Sequence, residues 1–317
     1  MTLDNIKEEI QKAETIIILT HDIPDGDAIG SSLAMYNGLK QLNKQVEVVM
    51  QSHSKTYDFL LGAEEIRTEG SCENYDLAIA LDCGDIKRLN GFTNYFQDAA
   101  CRISIDHHGI NTMFGDYNFV NPAAPACAQI LITVLEELGI NIDTDIGTCL
   151  LTGIITDTGG FKYSGVTAET FEFAAELLTK GVNVSNIYKK VLQTVSKEKF
   201  NLRKIALERL EFLEDGKIAF TYITKEDEKK VNAGNDDHDG IVETGRDVEG
   251  VEISIFLRET DVNTYKISLR SNDYANVADI CLMFNGGGHI RAAGGTINMP
   301  FEQAKEKIIA ECRKHLK

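Results

Sequence analysis

The chain has 317 residues, about twice the usual size of one domain, so two domains are expected. Its formal net charge of -17 at pH 7 disfavours binding of long nucleic acids, which depends on many Lys and Arg contacts to phosphates. Hydrophobic residues make up 43% of the chain, which is ordinary globular composition and excludes a disordered protein.

The N-terminal residues are charged where a secretory signal would be apolar, and no segment approaches roughly 18 consecutive apolar residues. A cytoplasmic protein without a membrane partner is therefore expected. The seven cysteines are scattered, and none forms a C-x-x-C pair. Neither a disulfide framework nor a zinc site is indicated.

Short β-branched runs alternate with longer amphipathic stretches from residue 15 onwards. The run TIIILT at 15–20, a Gly and Asp loop and the stretch AIGSSLAMYNGLKQL predict a strand followed by a helix. Further strands are expected at 45–50, 76–82 and 101–106, continuously apolar as buried parallel strands tend to be. The pattern predicts an α/β fold whose N-terminal domain has a doubly wound, mostly parallel sheet.

Helices are predicted next at PACAQILITVLEELG, TDIGTCLLTGIIT and TAETFEFAAELLTKG. The charged stretch 196–216 is expected to be a helical connector, which places the first domain at 1–195. Beyond it, the patterns predict three strands and two helices, at 217–224, 251–259, 264–271, 276–285 and 301–316. Residues 217–317 are therefore predicted to form a smaller α/β domain.

Acidic and imidazole side chains follow three of the predicted strands. The loop HDIPDGD supplies His21, Asp25 and Asp27, Asp82 closes DLAIALD, and the DHH triplet at 106–108 closes CRISID. In open α/β sheets, ligands bind at the carboxyl ends of the strands. Each group alone is explained equally well as a turn or a helix cap. Three such groups together would repel unless cations neutralised them, so the sequence predicts a metal site.

A fourth carboxylate, Asp157 in GIITDTGG, follows an apolar helical run, where it would be costly without a partner. Mixed carboxylate and imidazole donors suit manganese or magnesium better than zinc, which favours thiolates. The number of donors fits two metals better than one. Two neighbouring metals would activate water for in-line displacement at phosphorus.

The segments HDIPDGDAIGS, ALDCGD, DHHG and TDTGGF, in this order, resemble the four motifs of the DHH phosphoesterase superfamily. The resemblance implies two Mn2+ ions, with Mg2+ or Co2+ as alternatives. It divides the ligands between the two ions, with Asp82 bridging both, His21 and Asp25 on one, and Asp27, His107 and Asp157 on the other. It also implies catalytic roles for Asp82, for His108 facing the substrate phosphate, and for Asp106, which would fix the His108 imidazole.

Three successive glycines precede a histidine in the run NGGGHIRAAGG, which begins at Asn285. Glycines let backbone amides approach an anion closely, and a flexible turn between a helix and a strand is the alternative. The run resembles the GGGH motif of the DHH-associated C-terminal domain. This resemblance implies that Gly287, Gly288 and His289 bind substrate, together with Arg270 in the preceding segment SLRS.

Residues 264–317 carry eight Lys or Arg against five acids, so they could attract a small phosphorylated ligand. Arg246 is a further candidate contact to substrate phosphate, and Arg258 and Arg291 are alternatives to Arg270. The remaining histidines lie in polar surroundings without companion ligands and are expected at the surface, at His53, His238 and His315.

A DHH domain followed by this C-terminal domain resembles the nano-RNase and pAp-phosphatase subfamily. The resemblance implies hydrolysis of short oligoribonucleotides and linear dinucleotides to mononucleotides, and of adenosine 3′,5′-bisphosphate to AMP, in an active-site cleft between the domains. Its partners would be short RNA or nucleotide bisphosphates and not long duplex nucleic acid. A homodimer is compatible with the sequence.

Three other functions stay open at this point. An inorganic pyrophosphatase or exopolyphosphatase-like hydrolase would share the metal motifs, although the SRKKQ-like signature of family II pyrophosphatases is absent. A single-strand DNA exonuclease would need a longer chain with an added nucleic-acid-binding domain. A non-catalytic nucleotide sensor would be expected to lack metal ligands, whereas all six are present in this sequence.

Overall fold

The protein is described by a computed structural model that covers residues 3–72 and 74–317. The chain forms two compact units, one up to Thr194 and one from Val195 onwards. None of the helices in the described ranges is sufficiently long and apolar to cross a membrane.

The first unit contains a six-stranded sheet and helices on both of its faces. The strands β1 to β6 are Thr15–Leu19, Gln45–Val49, Ile66–Arg67, Leu77–Leu81, Cys101–Asp106 and Tyr117–Val120. The helices α1 to α7 are Leu3–Lys12, Gly26–Gln41, Thr93–Asp98, Cys127–Glu137, Thr144–Asp157, Ala168–Thr179 and Val184–Tyr188.

The six strands are parallel and lie in the order β3-β2-β1-β4-β5-β6. This order confirms the predicted doubly wound sheet. The chain builds the sheet outward from β1 to β3, returns to the other side of β1 at β4, and continues outward to β6, so the direction of winding reverses between β1 and β4. Every residue of β4 is buried, as the continuous apolar run LAIAL predicts for a central parallel strand. The carboxyl ends of β1, β4 and β5 therefore lie side by side at the reversal point.

Helices α2 and α5 pack unusually close together on one face of this sheet. A Cβ atom on Gly30 of α2 would lie 2.5 Å from the carbonyl oxygen of Cys149 in α5. A Cβ on Gly153 of α5 would lie 2.6 Å from Asp27 Oδ1 in α2. The missing side chains let the two helix backbones approach, which brings Asp27 near Asp157 at the end of α5.

The second unit is built on a mixed sheet. Its strands β7 to β12 are Glu211–Leu213, Ile218–Ile223, Ile253–Asp261, Thr264–Ser271, Gly287–His289 and Ala292–Asn298. Its helices α8 to α12 are Lys197–Glu208, Lys225–Val231, Ile241–Arg246, Val277–Leu282 and Phe301–Arg313. The strand order is β11-β12-β10-β9-β8-β7, with β8 and β9 parallel and the other neighbours antiparallel.

Residues 196–216 belong to the second compact unit, whereas the sequence suggested a separate helical connector. Their first part is helix α8, whose Leu202 and Ala206 are buried against Ile223 and Phe256. Their last part includes β7, which pairs with β8 and extends the sheet. The high charge of this stretch suggested an exposed connector. A narrow apolar stripe is nevertheless enough to pack α8 on the sheet.

Candidate functional site

The loop after β1 presents His21 and Asp25 to the carboxyl end of the sheet. Asp25 caps α2, because its Oδ1 accepts the backbone N–H groups of Asp27 and Ala28 at 3.0 and 3.1 Å. Its Oδ2 lies 3.9 Å from His21 Nε2. The same imidazole nitrogen is 3.7 Å from Asp82 Oδ2. One oxygen of Asp25 therefore starts the helix while the other faces a cluster of donors.

Asp82, directly after β4, lies at the centre of the cluster. Its backbone is left-handed, with φ of 53°, and the residue is only 2% exposed. Its Oδ1 makes no hydrogen bond within the described residues, yet lies 3.3 Å from His107 Nε2 and 3.6 Å from His108 Nδ1. A strained backbone and an unsatisfied buried oxygen are both costly, and such costs concentrate at functional positions.

A second donor group consists of His107, Asp157 and Asp27. His107 Nε2 is 3.4 Å from Asp157 Oδ2, and its Nδ1 is 3.3 Å from the carbonyl oxygen of Ala124. The carbonyl contact fixes the ring so that Nε2 faces the carboxylates. Ligand atoms of this group all lie within 4.8 Å of one another.

Protonation of the cluster reflects its crowding. Burial opposes the charge on His107, but the adjacent Asp82 carboxylate raises the pKa of this imidazole to about 10. Burial raises the pKa of Asp157 to about 6. For Asp82, burial is outweighed by the neighbouring imidazoles of His107 and His21, which hold the pKa of this carboxyl well below its usual range. In the absence of a cation, bound protons thus neutralise part of the negative charge of these carboxylates.

Asp27 has a second role that the sequence did not reveal. Its Oδ2 accepts the backbone N–H of Cys127 at 2.5 Å and its Oδ1 accepts that of Ala128 at 2.9 Å. These are the first two residues of α4, and Ala126 before them supplies no side-chain cap. The carboxylate from α2 therefore caps α4 across 100 residues of sequence.

The six predicted metal ligands lie in overlapping groups of side chains that could bind a cation. Asp82 is shared with His21 and Asp25 in one group and with His107 and His108 in another, and His107 also belongs to the group with Asp27 and Asp157. Carboxylate oxygens and imidazole nitrogens suit divalent cations of the manganese and magnesium type. With the unsatisfied Asp82 Oδ1 at its centre, the arrangement fits such ions.

His108 is oriented by a short chain of hydrogen bonds. Its Nδ1 lies 2.7 Å from Oδ1 of the fully buried Asp106, whose Oδ2 accepts from Asn111 Nδ2, also at 2.7 Å. The hydrogen bond to Asp106 raises the pKa of His108. Sequence reasoning missed Asn111, although a polar residue three positions after the second His of DHHG was a usable signal.

In the second unit, the strand register brings Arg270 and His289 to one face. Arg270 of β10 is directly opposite Ala292 of β12, and Ala292 is directly opposite His289 of β11. Directly opposite residues of antiparallel strands project from the same face of the sheet. Both side chains therefore share a face, two strand spacings apart, or roughly 10 Å.

The other candidate arginines contact acceptors elsewhere in the second unit. Arg246 Nε and Nη2 donate to Asp247 Oδ1 at 3.0 and 2.8 Å. Arg258 Nε donates to Glu228 Oε1 at 2.9 Å. The guanidinium of Arg291 donates to the carbonyl oxygens of the loop after β10, at Asp273 and Ala275. Of these four arginines, Arg270 is the one that shares a sheet row with His289.

The glycine run is a β-hairpin, β11 and β12, and its glycines are needed for close strand packing. A Cβ on Gly286 would overlap the carbonyl oxygen of Gly294. Gly288 has φ of 146°, and a Cβ there would lie 2.6 Å from Ala292 O. The hairpin carries the exposed His289 at its tip, beside the candidate residues Gly287 and Gly288.

The surface assignment of the remaining histidines was wrong for His238. This residue is buried, and its Nε2 lies 2.8 Å from Glu228 Oε1. Its sequence neighbours are polar and do not indicate that Glu228 of α9 packs against the imidazole. His53 is half-buried, with Nε2 3.2 Å from Asp58 Oδ1, and His315 is half-buried as well.

Comparison with known proteins places these motifs in one family. Residues 15–154 match the DHH family, N-terminal domain, and residues 215–317 match the DHHA1 domain. A Thermus thermophilus protein named bifunctional oligoribonuclease and PAP phosphatase NrnA is 34% identical over 304 residues, covering 95% of this chain and 90% of that protein.

Solved structures share the fold. An exopolyphosphatase-related protein from Bacteroides fragilis has a TM-score of 0.91 and 29% identity, covering 98% of this chain and 95% of that one. Exonuclease RecJ bound to manganese has a TM-score of 0.52 and 15% identity, covering 98% and 92%. With both domains matched and its four motifs assembled around Asp82, the chain belongs to the DHH family of phosphoesterases and carries a DHHA1 domain.

Proposed function

We propose that this protein hydrolyses short oligoribonucleotides and linear dinucleotides to mononucleotides, and adenosine 3′,5′-bisphosphate to AMP. The observation that carries the proposal is the convergence of five carboxylate and imidazole side chains with Asp82, whose buried Oδ1 is unsatisfied among the described residues. The substrate class is supported by the Thermus thermophilus relative, whose name specifies oligoribonuclease and PAP phosphatase activities.

The first unit would provide the hydrolytic centre, with two Mn2+ ions, or Mg2+ or Co2+ in their place. Bound divalent metals supply charge neutralisation at the phosphate and lower the pKa of water, so that it can attack phosphorus. Asp82 would be a ligand of both ions. The remaining ligands would be His21 and Asp25 for one ion and Asp27, His107 and Asp157 for the other.

His108 would contact the substrate. With Nδ1 held by Asp106, its Nε2 has no hydrogen-bond partner among the described residues and could donate to a phosphoryl oxygen. Because the hydrogen bond to Asp106 raises the pKa of His108, the imidazole more readily carries the positive charge that a transferring phosphoryl group requires.

The second unit would bind another phosphate of the same substrate. Arg270 and His289 share one sheet face, and Arg offers paired donors that match phosphate geometry. The glycines of the hairpin, Gly287 and Gly288, would let the substrate approach its backbone, with Arg246 as a further contact. A grip on one phosphate while another reacts favours substrates a few nucleotides long, and the net charge of -17 repels longer ones.

The proposal is tested by manganese-dependent hydrolysis of a substrate panel. The panel contains pApA, a five-nucleotide RNA, an RNA of about 24 nucleotides, adenosine 3′,5′-bisphosphate and pyrophosphate. Wild-type protein and the exposed control variant Asp98→Ala should hydrolyse the short nucleotides, and Asp82→Ala should not. Turnover of pyrophosphate alone would indicate a pyrophosphatase, and turnover of the long RNA an exonuclease. Nucleotide binding without any turnover would indicate a sensor.

A further inference from the structure

An acidic residue that nothing so far assigns to the site holds the side chain of Arg270. Glu243 of α10 accepts from Arg270 Nε through its Oε1 at 2.8 Å. Arg270 Nη1 donates to the carbonyl oxygen of Leu269 at 3.0 Å. Among the described residues Nη2 has no protein acceptor. Two contacts therefore fix the plane of the guanidinium and leave one edge free to bind a ligand.

The sheet register explains why α10 lies beside Arg270. Ser254 of β9 is directly opposite Arg270, so both side chains project from the same face as His289. Ser254 Oγ donates to the carbonyl oxygen of Val242 in α10 at 2.7 Å. A Cβ on Gly245 would lie 2.6 Å from that same Oγ, so the helix sits directly on the strand. Helix α10 thus lies over the Ser254 end of the row formed by Ser254, Arg270, Ala292 and His289.

Glu243 occupies this place at a cost. Its Oε2 is buried and makes no hydrogen bond within the described residues. A carboxylate selected only for stability would be expected to have both oxygens satisfied, since an unmet buried acceptor is destabilising. The pairing with Arg270 is the interaction that offsets this cost, which indicates that orienting the guanidinium matters to the protein.

We propose that Glu243 is a positioning residue: it holds Arg270 so that the free edge of the guanidinium and the imidazole of His289 bind one phosphate from the same sheet face. This inference rests on the proposed function. An unrestrained arginine would lose side-chain entropy on each binding event, whereas the tethered one is already ordered. Glu243 thus contributes to affinity without touching the substrate.

The test is a double-mutant cycle with Glu243→Ala, Glu243→Gln, Arg270→Ala and the double Ala variant, and with the exposed Glu306→Ala as a matched control. For pApA, KM should rise roughly tenfold in Glu243→Ala while kcat changes less than about threefold. Glu243→Gln keeps an acceptor for Arg270 Nε and should recover part of the loss. In the Arg270→Ala background, Glu243→Ala should have no further effect.

Two additional measurements separate the possible failures. Bis(p-nitrophenyl) phosphate has no second phosphate, so its KM should change several-fold less than that of pApA in Glu243→Ala. An equal change in KM for both substrates, or a large fall in Tm, would mean that Glu243 has a structural role and would overturn the inference. Additive effects of the two substitutions would also overturn it. If wild-type protein did not turn over pApA, the proposed function would fail, and calorimetric binding of AMP to the same variants would then decide the role of Glu243.

Discussion

Several acidic residues of the candidate centre use their two oxygens for different purposes. Asp25 caps α2 with one oxygen and faces His21 with the other. Asp106 accepts a hydrogen bond from Asn111 on one oxygen and contacts His108 through the other. Because one contact fixes each carboxylate, the other oxygen is already oriented toward the centre before any ligand arrives.

Asn111→Ala should lower kcat for pApA about tenfold, by analogy with the loss of outer hydrogen bonds at metal sites. The variant removes the donor to Asp106 Oδ2, so that the carboxylate no longer holds His108 in one orientation. Steady-state kinetics with pApA measure the effect. Asn94→Ala, at an exposed position of α3 in the same unit, is the control. An unchanged kcat would mean that Asp106 orients His108 without help.

The apparent affinity for Mn2+ should rise with pH across neutrality. Burial lowers the pKa of His107, but the adjacent Asp82 carboxylate outweighs this effect and raises it to about 10, so a cation at Nε2 must displace a proton. Each released proton makes affinity rise about tenfold per pH unit. Calorimetry in two buffers with different ionisation enthalpies counts these protons, and pH-independent affinity would contradict the prediction.

The same group makes the metal-free fold sensitive to pH. The pKa of His107 is raised from the ordinary 6.5 of a histidine to about 10, so protonated His107 contributes stability that is fully present below pH 6.5 and is lost as the pH rises through about 10. The Tm of the metal-free protein, measured in thermal melts, should therefore fall at alkaline pH. Added Mn2+ should raise it again.

At the residue scale, the sequence identified the side chains that share one small volume but not those that support them. His21, Asp82 and His107 were predictable because strand ends of a parallel sheet converge. Asn111 and Glu243 were not, since their roles depend on which loop or helix folds back onto the site. No period or motif of a single sequence reports that contact.

At the level of elements, the contact between α2 and α5 sets the spacing of the candidate centre. Gly30→Ala would place a methyl group 2.5 Å from the backbone oxygen of Cys149. Overpacking of this kind costs about 1–3 kcal/mol, more than the gain of up to about 1 kcal/mol from replacing a helical Gly by Ala. We expect a Tm lower by several degrees and weaker Mn2+ binding, since α2 and α5 carry Asp27 and Asp157.

Thermal melts with and without Mn2+ test this expectation. Gly91→Ala is the matched control, because a Cβ at Gly91 would meet no atom within 4 Å. If Gly30→Ala were as stable as Gly91→Ala, the helices would have room to separate, and the close approach would not determine the site.

The strands that the sequence missed are short or lack apolar patterning. Strand β3 has two residues, β7 and β11 have three each, and β12 reads AAGGTIN, a glycine-rich run typical of a loop. These strands form because a longer neighbour supplies a complete row of hydrogen-bonding partners. Strands β1 and β4 have only five residues each, but they were predicted because each contains a continuous apolar run.

At the scale of the whole molecule, the boundary between the compact units at Thr194 and Val195 predicts which fragment folds alone. A fragment of residues 195–317 keeps α8 and β7, and a fragment of residues 217–317 loses both. Leu202 of α8 is fully buried, and Arg209 pairs with Asp227 at 2.5 Å. Removing a buried leucine side chain alone typically costs about 2–5 kcal/mol.

The longer fragment should therefore melt cooperatively by circular dichroism, and the shorter one at a much lower temperature or without a transition. Equal melting of both fragments would mean that residues 196–216 act as a connector after all. The experiment needs no metal, because the second unit has its own apolar core, built around β9 and β10.

Asp27 has a consequence for how this chain can vary. Its carboxylate starts helix α4 as well as facing His107 and Asp157, so a substitution there would damage the scaffold along with the centre. The two histidines among the candidate ligands cap no helix, so they can change more readily if selection for activity is relaxed. In descendants that lost catalysis but kept the fold, Asp27 should be the last of the six to change. Its presence in a relative is therefore a record of the architecture, and the histidines are the better record of the activity.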